Sequence, residues 1–289
     1  MSKLPRKLFK LRRAISYVTS VALILSISIV AITWVYMAIQ PYAQAETARI
    51  EISRAITWIE TIGEKSKSII TQGINASAAV DIYLTSGHLK LIPRADNYSI
   101  YVNNGTRNIA LVNNAYISHI TIATKTPMRM LSGYRILKGG NYHFLNATMS
   151  GDREWYHVIE KQTAPDYHYV FLRFKILVQN ITYTDPSGQS ITHITILIVN
   201  FTSPFTHVGM TGQFRLTIRY STMELLQAYE ERTPAGQQKT YKILIYGHDN
   251  ITESDFSETA AQLTINGGTN GALIRIYVYL ISLEIGVVD

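Results

Sequence analysis

Hydrophobic and polar positions divide the chain into three patterned stretches. Residues 14–39 contain no charge, and apolar side chains dominate them. A helix of that length reaches roughly 39 Å, enough to cross a bilayer core of about 30 Å. Beyond Gln40-Pro41-Tyr42 the pattern turns amphipathic. Ala48, Ile52, Ala55, Ile59, Ile62, Ser66 and Ile69 alternate spacings of four and three, which is one helix face. The charged residues Glu46, Arg49, Glu51, Arg54, Glu60, Glu64, Lys65 and Lys67 fall mainly elsewhere, and Gly73 offers a left-handed stop. The pattern predicts one helix over 15–72 in two parts, apolar 15–40 and amphipathic 41–72, kinked where Pro41 removes a backbone donor.

From 80 to 289 the periodicity is that of strands. Tyr, Ile, Val and Thr alternate with polar residues in short runs. Strands are predicted at 80–84, 88–92, 98–102, 107–112, 116–124, 141–148, 154–160, 167–179, 190–201, 212–220, 240–246 and 272–283. Turn residues separate them at Ser86-Gly87, Asn103-Asn104-Gly105, Lys138-Gly139-Gly140, Asp185-Pro186-Ser187-Gly188, Pro234-Ala235-Gly236 and Asn266-Gly267-Gly268. A helix is predicted at 222–231, and a sub-boundary near Ser150-Gly151-Asp152. The last run is long enough to lie inside a sheet. The predicted class is therefore α+β: a hydrophobic-then-amphipathic N-terminal helix followed by an all-β, sandwich-like head at 80–289.

Charge sharpens the N-terminal reading. Lys3, Arg6, Lys7, Lys10, Arg12 and Arg13 precede the apolar run with no acidic residue among them. Of the net charge of +7, these six account for all but one. The basicity is thus a topology signal that keeps the flank cytoplasmic and sends the region after Gln40 outside, and a nucleic-acid partner is rejected. The absence of cysteine excludes disulfides, thiolate chemistry and cysteine-held zinc.

Asparagine carries a further signal. Seven of the 14 Asn head an Asn-x-Ser/Thr triplet: Asn75, Asn97, Asn104, Asn146, Asn180, Asn200 and Asn250. With 49 Ser and Thr among 289 residues, chance would place about two or three there. All seven follow the apolar run, where export would expose them to glycosylation. The competing reading is that Asn and Thr are common in turns and strands.

Catalytic patterns do not emerge. His88, His119, His143, His157, His168, His193, His207 and His248 lack metal-ligand spacing and read as half-exposed strand residues. Asp249, Glu253 and Asp255 do not follow an EF-hand and read as a solvated acidic loop. Glu154, Glu160 and Asp166 read as surface charges rather than a hydrolytic pair, and no nucleophile motif or phosphate-cradling loop is present. The reading is non-enzymatic, with no cofactor.

Three fates are open to the apolar run. Ala43-Gln44-Ala45 would suit a secretory cleavage site, but the run is about twice a signal core of 7–15 residues, and the helical pattern continues through it. An uncleaved anchor would hold a non-polymerising β adhesin or receptor outside the cell. The third rests on Lys10-Leu11-Arg12-Arg13-Ala14-Ile15-Ser16, which abuts the run and resembles the class III signal of archaeal type IV pilin-like proteins. The resemblance is close over 10–40 and extends to the order of elements over the whole chain. It implies a basic leader at 1–14, recognition by a prepilin peptidase through Arg12 and Arg13, and a cut between Ala14 and Ile15. It further implies that residues 15–72 bind copies of this chain or other pilin-like subunits, after residence in membrane lipid and handling by a membrane assembly platform. The product would be a cell-surface filament displaying a glycosylated head. Thr19 stands where many bacterial members carry glutamate, and the head exceeds that of many major pilins.

Overall fold

The computed structural model describes residues 5–125, 132–146, 148–151, 156–203, 210–250 and 253–288. Among these residues one long helix, α1 (Pro5–Gln72), precedes twelve strands. These are β1 (Ser77–Asn103), β2 (Asn108–Lys125), β3 (Gly133–Lys138), β4 (Phe144–Asn146), β5 (His157–Thr163) and β6 (Tyr167–Phe174). They continue with β7 (Ile176–Thr184), β8 (Ser190–Thr202), β9 (Met210–Thr233), β10 (Gln238–Asp249), β11 (Ser254–Asn266) and β12 (Ala272–Val288).

Helix α1 begins earlier than predicted. It includes residues 5–14 of the basic leader, which are mostly good helix formers behind a proline suited to a first turn. It continues through Pro41 as one helix. It stops as predicted: Gln72 is the last helical residue, and Gly73, at φ 95°, donates its N–H to the Ile69 carbonyl. The chain divides into two compact units between Arg49 and Ile50. The second half of α1 therefore belongs with the sheet, and no division appears near Ser150.

Within that second unit the predicted stripe faces the core. Ala55, Ile59, Ile62, Ser66 and Ile69 are buried, and Ile52 is half-buried. Glu51, expected on a polar face, is also buried and lies 3.6 Å from Arg54. Gly63 sits on the same face. A Cβ there would stand 2.5 Å from the imidazole Nε2 of His157 on β5. Glycine in mid-helix costs about 1 kcal/mol relative to alanine, and here it admits the close approach of a strand.

Hydrogen bonding joins the strands expected in two packed sheets into one, ordered β3-β5-β6-β2-β1-β9-β12-β8-β7-β4, with β10 and β11 branching from β1. β6 and β7 lie far apart in that order, yet only Lys175 separates them in sequence. The sheet must therefore roll back on itself. The amide of Ser118 on β2 donates to Oδ1 of Asn200 on β8 at 2.8 Å, and the rings of Phe174 and Phe201 lie 5.1 Å apart.

Two cores result. The first packs the α1 stripe against Val80, Ile82, Ile120, Leu172, Leu216 and Leu283, among others. The second lacks the helix and gathers Tyr98, Ile100, Ile196, Ile243, Ile274 and Ile276. Strand β12 lines one core with Ile274, Ile276 and Val278 and the other with Ile281, Leu283 and Ile285, on opposite faces of the strand. It runs between β9 and β8, inside the sheet as expected.

Several local expectations are corrected. Ser86-Gly87 is not a turn but part of the 27-residue β1, where a Cβ at Gly87 would stand 2.8 Å from the Ala123 carbonyl oxygen. Glycine there marks close backbone approach rather than reversal. Residues 222–231 are strand, not helix. Register shifts between Val278 and Tyr279 and between Ser282 and Leu283 place bulges in β9, and these break the two-residue alternation. The run 167–179 is two strands, β6 and β7, and residues 170–178 are buried throughout as the chain crosses between the two halves of the sheet. β3 and β11 carry no clear pattern in the sequence.

Candidate functional site

The apolar half of α1 is long and apolar enough to cross a membrane. Every side chain over 19–40 is exposed, including Leu23, Ile24, Ile27, Val30, Trp34 and Ile39. Leu23, Ser26, Ile27, Val30, Ala31, Trp34 and Val35 line a shallow apolar hollow on this surface. The hydroxyls do not disturb it. Ser26 donates to the Ala22 carbonyl at 2.8 Å, Ser28 to Ile24 at 2.9 Å, and Thr33 to Ile29 at 2.8 Å. Each is thus satisfied within the helix, which suits an apolar solvent or tight packing against a like helix. Arg12, Arg13, Ala14 and Ile15, the predicted processing junction, are helical, and their side chains lie outside the described positions.

The head contains a buried polar network that sequence reasoning missed. His119, His143, His157 and His168 are all buried, against the expectation of half-exposed strand positions. His88, His193 and His248 are partly exposed as expected, and His207 lies outside the described residues. On the sheet face turned away from α1, the His119 ring bonds the Asp96 carboxylate at 2.7 Å, and the Tyr98 hydroxyl donates to the same carboxylate at 3.1 Å. Glu160 accepts a 2.8 Å bond from Nε of Arg173, and neither residue has any exposed surface. Glu160 is therefore no surface charge, whereas Asp166 is exposed and Glu154 lies outside the described residues.

Burial opposes the charge on Arg173, but Glu160, Tyr98 and Asp96 outweigh it and raise the guanidinium pKa above its ordinary value. A second group gathers at β10 and β11. Nδ1 of His143 lies 3.0 Å from Glu258 and its Nε2 3.7 Å from buried Asp249, with its ring stacked on Phe256. Asp249 thus leaves the predicted acidic loop, while Asp255 stays exposed and pairs with His248 at 2.8 Å. Among the described residues no three His, Asp or Glu converge as metal ligands. No local signal in the sequence marks these groups: Glu160 meets Arg173, and His119 meets Asp96, only through strand pairing.

His157 gives a pH dependence. Burial, reinforced by Lys67, Lys175 and Lys138, pushes its pKa down to about 4 from the ordinary 6.5. The folded state therefore binds fewer protons than the unfolded state between these values. Stability contributed by the neutral ring is complete above about pH 6.5, falls as the pH drops, and levels near 4 after a loss on the order of 3 kcal/mol. Urea unfolding at pH 7 and pH 4 measures this, and His157→Gln should flatten the difference relative to the parent.

The seven asparagines occupy unlike environments. Asn104 is buried. Its Oδ1 accepts the Thr106 N–H, the Thr106 hydroxyl and the Arg107 N–H, while its Nδ2 donates to Glu231. Asn146 repeats the arrangement with Thr148, and its Nδ2 donates to the Ala260 carbonyl. Asn97 donates to Asn114, Asn200 accepts from Ser118, and Asn250 donates to the Ala95 carbonyl. Asn75 and Asn180 are exposed.

Across β7, β8 and β12, exposed Tyr183 and half-buried His193, Tyr277 and Tyr279 form a row with neighbouring centroids 5.6 to 6.4 Å apart. Comparison of the chain with protein-family models, curated proteins and solved structures finds no match.

Proposed function

We propose that this chain is a pilin-like subunit of an archaeal cell-surface type IV-type filament, major or accessory, that assembles through its N-terminal helix and displays a β head. The observation that carries the proposal is the contrast within α1. Residues 55–69 bury their apolar stripe in the head, while residues 19–40 of the same helix present apolar side chains around the whole circumference. Such a surface is stable in lipid or among like helices.

Before assembly the basic flank fixes the helix with its N-terminus in the cytoplasm. Prepilin peptidase, reading Arg12 and Arg13, cuts between Ala14 and Ile15 and removes those charges. Helices 15–72 then stack in a non-closing, head-to-tail interface, which yields a filament rather than a ring. The membrane assembly platform supplies and orders the subunits. This role is non-enzymatic and uses no cofactor.

N-terminal sequencing of the mature protein tests the reading. A start at Ile15 is expected, with Arg13→Ala accumulating the uncut form. A mature chain that retains residues 1–14, or one that starts at Glu46, overturns it.

The partly exposed aromatic row of Tyr183, His193, Tyr277 and Tyr279 favours a second reading, a non-polymerising membrane-anchored adhesin or receptor. Electron microscopy separates the two: cells that carry the mature protein without filaments support the second.

A further inference from the structure

We propose that Asn75 and Asn180 are the two positions at which the head carries N-linked glycan, and that the other five Asn-x-Ser/Thr triplets serve the fold. The proposal rests on the export assigned above. Glycan attaches at Nδ2, which must face open solvent with room for a sugar ring.

Asn104 and Asn146 fail this requirement for the same reason. In each, Oδ1 accepts both the backbone N–H and the hydroxyl of the residue two positions on, with the two hydroxyl bonds at 2.8 and 2.7 Å. Asp185 does the same with Ser187, accepting its N–H at 2.9 Å and its hydroxyl at 2.6 Å. The triplet Asp185-Pro186-Ser187 cannot be glycosylated, so this closed turn is a structural motif in its own right. The threonine two residues after Asn104 and Asn146 is accounted for by the turn. Because Oδ1 receives N–H groups there, Nδ2 is fixed inward, toward Glu231 in one case and the Ala260 carbonyl in the other.

Three more are tied into the sheet. Asn200 is half-buried where β8 meets β2, with Oδ1 held by the Ser118 N–H. Asn97 is half-buried against Asn114. Asn250 is exposed, but its Nδ2 turns to the Ala95 carbonyl and its backbone N–H to Asp96.

Asn75 and Asn180 differ. Asn75 occupies the exposed turn between α1 and β1. There its Oδ1 accepts from the guanidinium of Arg219 at 3.3 Å, so Nδ2 is the atom left toward solvent. Asn180 is exposed on β7, beyond the three residues Ile176, Leu177 and Val178 that pair with β4.

The test uses the full-length protein purified from its native membranes. It is digested with trypsin and with a protease that cuts after aromatic residues, so that Asn180 and Asn200 fall on separate peptides. Mass spectrometry should find sugar on the Asn75 and Asn180 peptides and none on those holding Asn104, Asn146 or Asn200. N75Q and N180Q should each remove one glycan from the intact mass. N104Q should leave the mass of sugar unchanged and lower the melting temperature. Glycan on Asn104 or Asn146 in folded protein, or none on Asn75 and Asn180, overturns the assignment. Protease added to whole cells reads export separately. A surface-cleaved chain without sugar defeats the site assignment alone, whereas a shielded, unmodified chain defeats the export reading as well.

Discussion

Glu160→Gln should destabilise the head by about 3–5 kcal/mol, enough to lower the melting temperature by about 10 °C in a domain of this size. The two side chains stand diagonally across antiparallel strands, since Val158 faces Arg173 and Glu160 faces Phe171 in the β5–β6 register. Both are fully buried. The substitution keeps the shape of Glu160 and deletes its charge, leaving a guanidinium with no carboxylate in contact and no water to solvate it. Arg173→Met should cost a similar amount by stranding Glu160. The double variant Glu160→Leu/Arg173→Met should recover most of the loss, because replacing both partners with apolar groups removes the desolvation penalty along with the attraction. Urea unfolding of the parent, Glu160→Leu, Arg173→Met and the double variant gives the coupling energy directly. Additive losses in the double variant would mean that the two residues act independently, and would refute the account of a mutually dependent buried pair.

This pair also marks where sequence reading stops. The N-terminal helix was legible because its signals are local: an unbroken apolar run, a period of 3.5, and a glycine after the last turn. All the stripe residues from Ala55 to Ile69 are buried, and α1 ends one residue before Gly73. Strand content was legible for the same reason. What failed was anything that depends on a distant neighbour. Gly87 looks like a turn until the Ala123 carbonyl is placed against it, and the β9 segment 222–231 looks helical until its bulges are counted.

Glu160 and His119 carry no sign of burial in their own stretches. Their partners Arg173 and Asp96 lie 13 and 23 positions away, brought close by strand pairing. The excess of Asn-x-Ser/Thr triplets was legible as a count. The proposed division into glycan-bearing and structural positions rests on the exposure and partners of each carboxamide, which only the fold supplies.

On the proposed assembly through α1, Val30→Asp should abolish filaments while leaving the head as stable as in the parent. Val30 lies in the middle of the apolar run with its side chain exposed, and it borders the hollow formed with Ile27 and Trp34. One carboxylate at the centre of a membrane span costs about 2.5–3.5 kcal/mol on insertion scales, which a run as apolar as 14–39 should absorb. The protein should therefore still fractionate with membranes. In a bundle of like helices the penalty is different in kind, because each added copy brings another charge and no basic partner. The described side chains over 19–40 contain none. The cost then recurs with every subunit, and polymerisation fails although insertion succeeds.

The compact unit that starts at Ile50 does not include position 30, so the melting temperature of the head should stay within about 1 °C, as expected for distant and independent sites. Val30→Leu, equally apolar, should assemble normally. Filaments of the Asp variant at parental abundance would show that this helix is not the assembly core. A parent that inserts and matures without filaments, whichever residue stands at 30, would instead leave the helix as an anchor and the head as the working part.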